Sequence, residues 1–247
     1  IGAGHAGVQV AVSLREKKYN GEILLFHKDT TLPYQKPPLS KKFLLTTDSS
    51  SSLIRSDDWF KKNNVKLLNG VLISKIDRNE KFVIDENNNK FSYDKLIIAT
   101  GSKNKILNNL ESKHFSNVIT LRNLNDSIKL RNLITKSKNI LIVGGGFIGL
   151  EVASIARLLE KNVTILESSS KVMGRNISND LSNWYIEFHK KKGVNFLFRQ
   201  QVLSLNTHGN NILSIKTSNN KTIEIDLLLI AIGSDPEISL AKKSKLN

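Results

Sequence analysis

Three glycines and one carboxylate form the group of residues in this sequence with the clearest chemistry. In a strand–turn–helix unit, Gly144 would allow the tight turn, Gly146 would let backbone N–H groups approach a pyrophosphate, and Gly149 would let the helix pack closely. Glu167 follows about 20 residues later, where such a unit places the acid that accepts both hydroxyls of an adenine ribose. A carboxylate repels a 2′-phosphate, so Glu167 favours NADH over NADPH, although the cation Arg175 lies nearby in the sequence.

The elements needed to position these residues occur in the required order. Residues 140–143 are an apolar run that predicts a buried strand of a parallel sheet, and residues 163–166 predict the next strand. Between them, apolar residues recur at helical spacing and predict a helix with one face on the sheet: Ile148, Val152, Ile155, Ala156 and Leu159. This order favours a dinucleotide site, with phosphates at the helix N-terminus, over a plain β-α-β turn.

A second unit of the same kind opens the chain. Gly2, Gly4 and Gly7 repeat the glycine spacing, and residues 23–26 predict the strand after the helix. Each of these glycines stands at the same offset from its counterpart in the other unit. Two such units imply two dinucleotides. His27 takes the position equivalent to Glu167, and Asp29, two residues later, is the candidate for the ribose contact.

Composition excludes several classes of protein. The 247 residues contain no cysteine, which excludes thiolate metal sites, disulfides and a catalytic cysteine in this chain, and no metal site is predicted. No apolar run approaches the roughly 18 residues that a membrane-spanning helix needs, so we expect no membrane span. The formal net charge of +15 could attract nucleic acid, anionic membrane or an acidic protein, but the lysines are scattered and no nucleic-acid motif occurs. We therefore expect a cytoplasmic protein without nucleic-acid or membrane partners.

The first half of the chain predicts further elements around the first glycine turn. A proline-rich loop at 33–38 precedes a short helix, and residues 48–52 predict a polar surface loop. Residues 93–99 predict a buried strand that runs into a tight turn at Thr100 and Gly101, which would bring backbone close to a ligand. Short strands are predicted at 65–68, 71–76, 82–84 and 91–93.

The second half predicts the same series of elements. A strand is expected at 118–121, and a helix at 124–133 whose N-cap is Asn123 or Asn125. After the second glycine unit come a helix at 181–192 and a closing strand from 227, equivalent to the one at 93–99. Short strands are predicted at 194–197, 202–205, 212–217 and 223–225.

On these motifs the chain resembles the FAD- and NAD(P)-dependent pyridine nucleotide oxidoreductases, and within them ferredoxin reductases of the putidaredoxin reductase, rubredoxin reductase and apoptosis-inducing-factor type. The PPLSK element is the most specific match. The resemblance spans the chain in the family's order: GAGHAG at the start, PYQKPPLSK at 33–41, YDKLIIATGS at 93–102, LRNLNDS at 121–127, IVGGGFIGLEVA at 142–153 and IAIGSDPE at 230–237.

The resemblance implies particular site residues. Lys41 and Glu151 match a lysine–glutamate pair beside the flavin, where the cation would stabilise charge on the reduced flavin and the carboxylate would hold the cation and the nicotinamide. Otherwise Lys41 is a solvated helix residue and Glu151 a surface carboxylate in the first helical turn. FAD would lie on Gly2, Gly4, Gly7, Thr100, Gly101 and Arg122, and NADH on Gly144, Gly146, Gly149 and Glu167, with Asp29, Lys36, Phe147, Ile148 and Gly233 as further cofactor contacts.

The resemblance also implies an organisation and an activity. It implies an α/β protein with two Rossmann-like, three-layer domains: an FAD domain at 1–108, an inserted NADH domain at 109–232, and a returning FAD segment at 233–247. The enzyme would pass a hydride from NADH to FAD and single electrons to an iron–sulfur protein, a ferredoxin or rubredoxin. The alternatives are an NADH-binding signalling flavoprotein of apoptosis-inducing-factor type and the reductase domain of a larger enzyme such as a nitrite reductase.

Two departures from the family pattern matter. Without cysteine, this chain cannot represent the disulfide reductases or the cysteine-based peroxidases. The chain also lacks the strand before its first glycine turn and stops before the family's Gly-Asp element and flavin-covering domain. We therefore expect a fragment that retains NADH more readily than FAD.

Overall fold

The chain folds as a mixed α/β protein. The computed structural model describes residues 1–46, 52–110 and 114–246. The predicted serine loop at 48–52 lies outside these ranges except for Ser52. Among the helices in the described ranges, none combines the length and the apolar character needed to cross a lipid bilayer.

The helices and strands follow one another along the chain with short connections. The helices are α1 (His5–Glu16), α2 (Lys42–Leu45), α3 (Asp57–Lys62), α4 (Leu124–Lys136), α5 (Phe147–Leu158), α6 (Asn179–Lys191) and α7 (Ser239–Lys243), with 3₁₀ turns at Pro37–Ser40 and Asn108–Leu110. The strands are β1 (Ile23–His27), β2 (Val65–Asn69), β3 (Ile73–Asp77), β4 (Phe82–Asp85), β5 (Lys90–Ser92), β6 (Ser102–Asn104), β7 (Val118–Thr120), β8 (Asn139–Val143), β9 (Asn162–Glu167), β10 (Val194–Phe198), β11 (Val202–His208), β12 (Asn211–Thr217), β13 (Thr222–Glu224), β14 (Leu227–Ile230) and β15 (Ser234–Pro236).

Residue contacts group the chain into two compact units. The first unit comprises Ile1–Gln35, Ser49–Lys103 and Asp235–Asn247. The second unit comprises Lys36–Asp48 and Asn104–Ser234. The segment that carries Lys41 therefore packs with the second unit, although its position in the sequence lies within the expected FAD domain at 1–108.

The second unit is built on a five-stranded parallel sheet in the order β10-β9-β8-β14-β7. Strand β8 lies in the middle, and its residues Leu141 and Ile142 are fully buried, as the apolar run at 140–143 predicts. From β8 the chain runs through β9 to β10 on one side and later returns to β14 on the other side. The carboxyl end of β8, where the glycine turn begins, is therefore a topological switch point, the usual ligand position in such sheets.

Helix α5 packs on β8 and β9 with a face that includes three of the five residues that the sequence predicts. Val152, Ile155 and Ala156 are buried as expected, whereas Ile148 is 40% exposed and Leu159 is 39% exposed. The helix approaches the sheet most closely at Gly149, and Ile148 is rotated by about 100° from that position. Leu159 follows the last helical residue as the C-cap. The prediction that these two side chains face the sheet is therefore wrong.

The first unit contains a shorter parallel sheet of β1 and β2 and an antiparallel sheet of β3, β4 and β5. The predicted buried strand at 93–99 is wrong, because these residues form no strand and are at most half-buried. Their backbone bonds go to two separate segments: the Ile1 amino group donates to Ile97 O (2.7 Å), Ala99 N donates to Ile1 O (2.8 Å), and Tyr93 N donates to Lys81 O (2.9 Å). By contrast, β14, the counterpart of residues 93–99 in the second unit, pairs along its length with β8 and β7.

The two units repeat one order of elements. In the first unit, α1 and β1 follow a glycine turn, and β3, β4 and β5 follow β2. In the second unit, α5 and β9 follow a glycine turn, and the antiparallel strands β11, β12 and β13 follow β10. Each series then returns to its own glycine turn, at Ala99 in the first unit and at Ala231 in the second.

Candidate functional site

The glycine turn of the second unit needs two of its glycines for reasons internal to the protein. Gly144 has φ +109°, and a Cβ there would lie 2.4 Å from Ala231 O. A Cβ at Gly149 would lie 2.1 Å from Gly144 O, so this glycine allows α5 to approach the end of β8. A Cβ at Gly146 would meet no described atom within 4 Å. The protein's own packing therefore gives no reason for a glycine at position 146.

The glycine turn of the first unit has the same geometry. Gly2 has φ +101°, and its Cβ would lie 2.2 Å from Ala99 O. A Cβ at Gly7 would lie 1.9 Å from Gly2 O. A Cβ at Gly4 would meet no described atom within 4 Å. In both units, then, the middle glycine leaves open space beside the backbone at the start of a helix, where a pyrophosphate would need it.

The helices that follow these turns begin without a protein cap. The N-caps of α1 and α5 are Gly4 and Gly146, which have extended backbone and no side chain to accept a hydrogen bond. Neither helix has an acidic residue in its first turn. By contrast, α3, α4 and α6 are capped by Ser56, Asn123 and Ser178. The first N–H groups of α1 and α5 are thus suited to an anionic ligand, and these residues fit a dinucleotide.

Glu167 lies at the end of β9, beside the glycine turn, as the sequence predicts. Its Oε2 accepts a hydrogen bond from Gly145 N (2.7 Å), and its Oε1 accepts one from Ser169 N (2.8 Å). Two backbone donors therefore fix the orientation of the carboxylate. Ser168 Oγ also donates to Oε1 (3.3 Å), so of the roughly four acceptor positions of a carboxylate about one remains for a ribose hydroxyl.

Asp29 lies in a different position within the first unit. Strand β1 ends at His27, so His27 is the structural counterpart of Glu167. Asp29 Oδ2 accepts a hydrogen bond from Tyr34 OH (3.1 Å) and lies 3.7 Å from His27 Nε2. The Asp29 carboxylate is thus oriented by two side chains, and its contact with a ribose stays a prediction.

Lys41 and Glu151 form an ion pair within the second unit. Lys41 Nζ lies 2.9 Å from Glu151 Oε1, although the two residues lie far apart in the sequence. Lys41 Nζ also donates to Pro37 O (3.2 Å). The alternative for Glu151 was a surface carboxylate in the first helical turn. Glu151 is instead the fifth residue of α5 and lies in its second turn. The two residues meet as predicted, and their position beside a flavin stays a prediction.

The other predicted contacts are divided between the two units. In the first unit, Thr100 Oγ1 donates to Glu237 O (2.6 Å), and Gly101, with φ +76°, accepts from Glu237 N (2.8 Å). In the second unit, the backbone N–H of Arg122 donates to Asp126 at the start of α4 (2.8 Å). Also in the second unit are Lys36 before the 3₁₀ turn, the half-exposed Phe147 and Ile148, and Gly233 with φ +103°.

Sequence reasoning missed two polar residues beside these groups. Ser40 is buried, and its hydroxyl donates to Glu151 Oε2. Gln200 has a buried Oε1 without a hydrogen-bond partner in the described chain, and its backbone N–H donates to Glu167 O (3.2 Å). The signal for Ser40 was its place next to Lys41 in PPLSK. The signal for Gln200 was its place after β10, the neighbour of β9.

The parallel sheet and the glycine turns define a class of proteins that bind dinucleotides. A family model described as "Pyridine nucleotide-disulphide oxidoreductase" matches residues 1–247. The chain belongs to this family. Membership implies a flavin and a pyridine nucleotide as cofactors.

Similar proteins include reductases of small electron carriers. The chain is 34% identical over 246 residues to a 3-phenylpropionate/cinnamic acid dioxygenase ferredoxin–NAD(+) reductase component of Photorhabdus laumondii, covering 100% of this chain and 62% of that protein. It is 33% identical over 247 residues to a rubredoxin–NAD(+) reductase of Ectopseudomonas oleovorans, covering 100% of this chain and 64% of the relative. The chain thus spans less than two thirds of these relatives.

Solved structures show the same similarity. The chain superposes with a TM-score of 0.94 on the reductase in a covalent putidaredoxin reductase–putidaredoxin complex, at 30% identity, over 100% of this chain and 60% of that one. For a ferredoxin reductase of the CYP199A2 system from Rhodopseudomonas palustris, the TM-score is 0.93 at 31% identity, over 100% of this chain and 61% of that one.

Proposed function

We propose that the whole protein is an FAD-dependent NADH oxidoreductase that reduces an iron–sulfur protein, a ferredoxin or a rubredoxin. The observation that carries this proposal is the repeated glycine turn. In each unit the outer two glycines are required by close backbone contacts, while the middle one, Gly4 or Gly146, borders open space at an uncapped helix start. Two such turns provide for two dinucleotides in one chain.

The two cofactors are assigned by the order of the motifs. FAD is assigned to the turn at Gly2, Gly4 and Gly7, with Asp29, Thr100 and Gly101 in the same unit. NADH is assigned to the turn at Gly144, Gly146 and Gly149, with Glu167. In this proposal an NADH domain at 109–232 is inserted into an FAD domain formed by 1–108 and 233–247. The contact units differ from these bounds mainly at Lys36–Asp48.

The Lys41–Glu151 pair is the proposed catalytic group. When bound, FAD supplies the step from a two-electron hydride to single electrons, which nicotinamide does not perform. Lys41 would place a cation where negative charge develops on the reduced flavin. Glu151 would hold that cation in place, since its carboxylate lies 2.9 Å from the lysine nitrogen. Arg122, Lys36, Phe147, Ile148 and Gly233 are proposed as further cofactor contacts.

The proposed partner is an iron–sulfur protein. Relatives named as ferredoxin and rubredoxin reductases support this class of acceptor, as does the neighbouring complex of a reductase with putidaredoxin. The net charge of +15 would favour association with an acidic carrier. Cytoplasmic location stays a prediction from the sequence.

The experiment uses the full-length gene product loaded with FAD. NADH-dependent reduction is measured with a panel of ferredoxins and rubredoxins, and flavin reduction is followed separately by stopped-flow absorbance. We expect flavin reduction by NADH and transfer to at least one carrier. Lys41→Ala should slow flavin reduction by at least about tenfold and affect NADH affinity less, the pattern of an interaction that strengthens in the transition state.

Two results would count against this function. Flavin reduction without transfer to any carrier would favour an NADH-binding signalling flavoprotein. An unchanged rate of flavin reduction in both Lys41→Ala and Glu151→Ala would show that the pair has no catalytic role. The exposed pair Lys190–Glu187, with a similar distance of 3.0 Å, provides a matched control, since Lys190→Ala should leave flavin reduction unchanged.

A further inference from the structure

Ser40 binds the same carboxylate as Lys41, its neighbour in the chain. The Ser40 hydroxyl donates to Glu151 Oε2, and Lys41 Nζ lies 2.9 Å from Glu151 Oε1. Ser40 is 5% exposed, whereas the Lys41 side chain is 52% exposed and the Glu151 side chain 26% exposed. One carboxylate oxygen is therefore bound by a buried neutral donor and the other by a more exposed cation.

The position of Ser40 is itself fixed by α4. Ser127 is fully buried, and its hydroxyl donates to Leu39 O (2.7 Å), the carbonyl that directly precedes Ser40. The start of α4 is in turn secured by a capping box, in which Asn123 and Asp126 satisfy each other's backbone N–H groups. Helix α4 thus fixes the position of Ser40, while the Ser40 hydroxyl binds the carboxylate of Glu151 on α5.

The two contacts to Glu151 differ in what they fix. A lysine side chain is long and flexible, so an exposed lysine–carboxylate ion pair does little to fix the relative position of its two charged groups. A buried hydroxyl on a short side chain has few conformations, and a hydrogen bond to an ionised acceptor is stronger than one between neutral groups. The orientation of the Glu151 carboxylate is therefore set mainly by Ser40, and this carboxylate, together with Pro37 O, then holds the lysine nitrogen.

We propose that Ser40 is a positioning residue for the Lys41–Glu151 pair. It fixes Glu151 Oε2, so that Oε1 is presented to Lys41 in one orientation and the ammonium group stays in one place. This role rests on the proposed function, in which the pair stabilises charge on the reduced flavin. Ser40 itself transfers no proton and contacts no reacting atom in this proposal.

The test needs variants that separate the loss of the Ser40 hydroxyl from a change in the shape of the side chain. Ser40→Ala removes the donor, while Ser40→Thr and Ser40→Val both introduce a β-branched side chain of nearly the same shape, of which only threonine keeps the hydroxyl. The Thr and Val pair also keeps the test valid if the Ala variant does not fold. Ser182→Ala is the control, because Ser182 is also a buried serine of the second unit whose hydroxyl donates a hydrogen bond, in this case to Val172 O (2.8 Å) and not to the pair.

The first measurement reports the geometry of the pair without using the reaction. Full-length protein is treated with a water-soluble carbodiimide and excess glycinamide, so that activated Glu151 couples either to Lys41 or to the added amine. Peptide mass spectrometry gives the ratio of the two products. We expect this ratio to fall by about fivefold in Ser40→Ala and Ser40→Val, the factor that one hydrogen bond contributes to an equilibrium. Ser40→Thr and Ser182→Ala should keep the wild-type ratio.

The second measurement is flavin reduction by NADH in the full-length protein loaded with FAD. The limiting rate should fall in Ser40→Val and recover in Ser40→Thr, with KM for NADH changed little. An unchanged coupling ratio in Ser40→Ala and Ser40→Val overturns the positioning role, and so does an equal fall in Ser182→Ala. If the coupling ratio falls as expected but the limiting rate does not, Ser40 positions the pair and it is the proposed function of the pair that fails.

Discussion

Arg15 and Arg157 occupy equivalent positions near the ends of α1 and α5 and share two contacts in their respective units. Arg15 Nε donates to Asn63 O (2.7 Å), just after α3, and its Nη1 donates to the carbonyl of residue 19. Arg157 Nε donates to Lys192 O (2.9 Å), just after α6, and its Nη1 donates to the carbonyl of residue 161. Each guanidinium thus joins the segment just after its own helix to the segment just after a later helix. Arg15 also donates to Gly21 O (3.0 Å) and to Asn64 O (2.8 Å).

These two arginines predict losses of stability on substitution, with the loss at Arg15 at least as large as the loss at Arg157. Arg157→Lys and Arg15→Lys should each lower the free energy of unfolding by about 1–2 kcal/mol, because one ammonium cannot reproduce the planar donors that bind two separate carbonyls. Urea denaturation of each variant measures the loss. Arg175→Lys, at an exposed position, is the control and should change stability by less than about 0.5 kcal/mol. A loss at Arg157 without a loss at Arg15, which makes the same two contacts and two more, would contradict this prediction.

The sequence predicts the local elements of both units well because each has a local signal. The run at 140–143 is apolar throughout, and β8 is buried between two parallel neighbours. Asn123, followed by Asp126 three residues later, marks the start of α4, and the structure has a capping box there. Glycine spacing identifies the turns because it reflects backbone contacts within the turn or to a neighbouring segment of the same unit.

Features that depend on distant segments could not be predicted from local patterns. Residues 93–99 have the composition of a buried strand, but a strand also needs partners along its length. The backbone of these residues bonds to Ile1 and Lys81 instead of to a neighbouring strand. Residues 36–46 pack with the second unit because Ser127 and Arg131 of α4 bind the carbonyls of Leu39 and Thr46. The contact of Ser40 with Glu151 depends on that packing.

The glycine turn of the second unit predicts opposite effects for two neighbouring substitutions. Gly149→Ala places a Cβ 2.1 Å from Gly144 O, and this backbone clash should lower the free energy of unfolding by about 1–3 kcal/mol or more. Gly146→Ala meets open space, so it should cost less than about 1 kcal/mol, the scale of an N-cap change. Its Cβ would instead occupy the approach to a pyrophosphate and should weaken NADH binding by at least about tenfold.

Thermal unfolding and NADH titration by fluorescence separate these two effects. Gly4→Ala is the matched control, since it makes the same change at the other turn and should leave NADH affinity unaltered. Full NADH affinity in Gly146→Ala would rule out a pyrophosphate at this turn. Normal stability in Gly149→Ala would mean that α5 can move away from β8 without cost.

Glu167 predicts the cofactor preference. Glu167→Gln removes the charge that would repel a 2′-phosphate, and one of the two backbone donors, Gly145 N or Ser169 N, would then face an amide NH₂ group. We expect the ratio of NADH affinity to NADPH affinity to fall by about tenfold, which corresponds to about 1.4 kcal/mol of discrimination. Titration of both nucleotides measures the ratio.

Glu224→Gln serves as the control for this ratio, because Glu224 is an exposed carboxylate on β13 of the same unit. It should leave the discrimination unchanged. Equal affinities of the unaltered protein for NADH and NADPH would contradict the role of Glu167 from the start.

His189 predicts a pH dependence of stability in the second unit. It is 6% exposed on α6, near the rings of Phe188 and Phe196, and burial lowers the pKa of its imidazole from 6.5. The unfolded chain therefore takes up the proton first, so stability should decrease as pH falls through 6.5 and should stop decreasing below the pKa of the folded state.

His189→Leu should remove this loss while changing stability little at pH 8. Thermal unfolding between pH 8 and pH 5 measures the difference, with the exposed His208→Gln variant retaining the wild-type dependence. Parallel pH profiles for wild type and His189→Leu would show that burial of this imidazole does not set the acid stability of the unit.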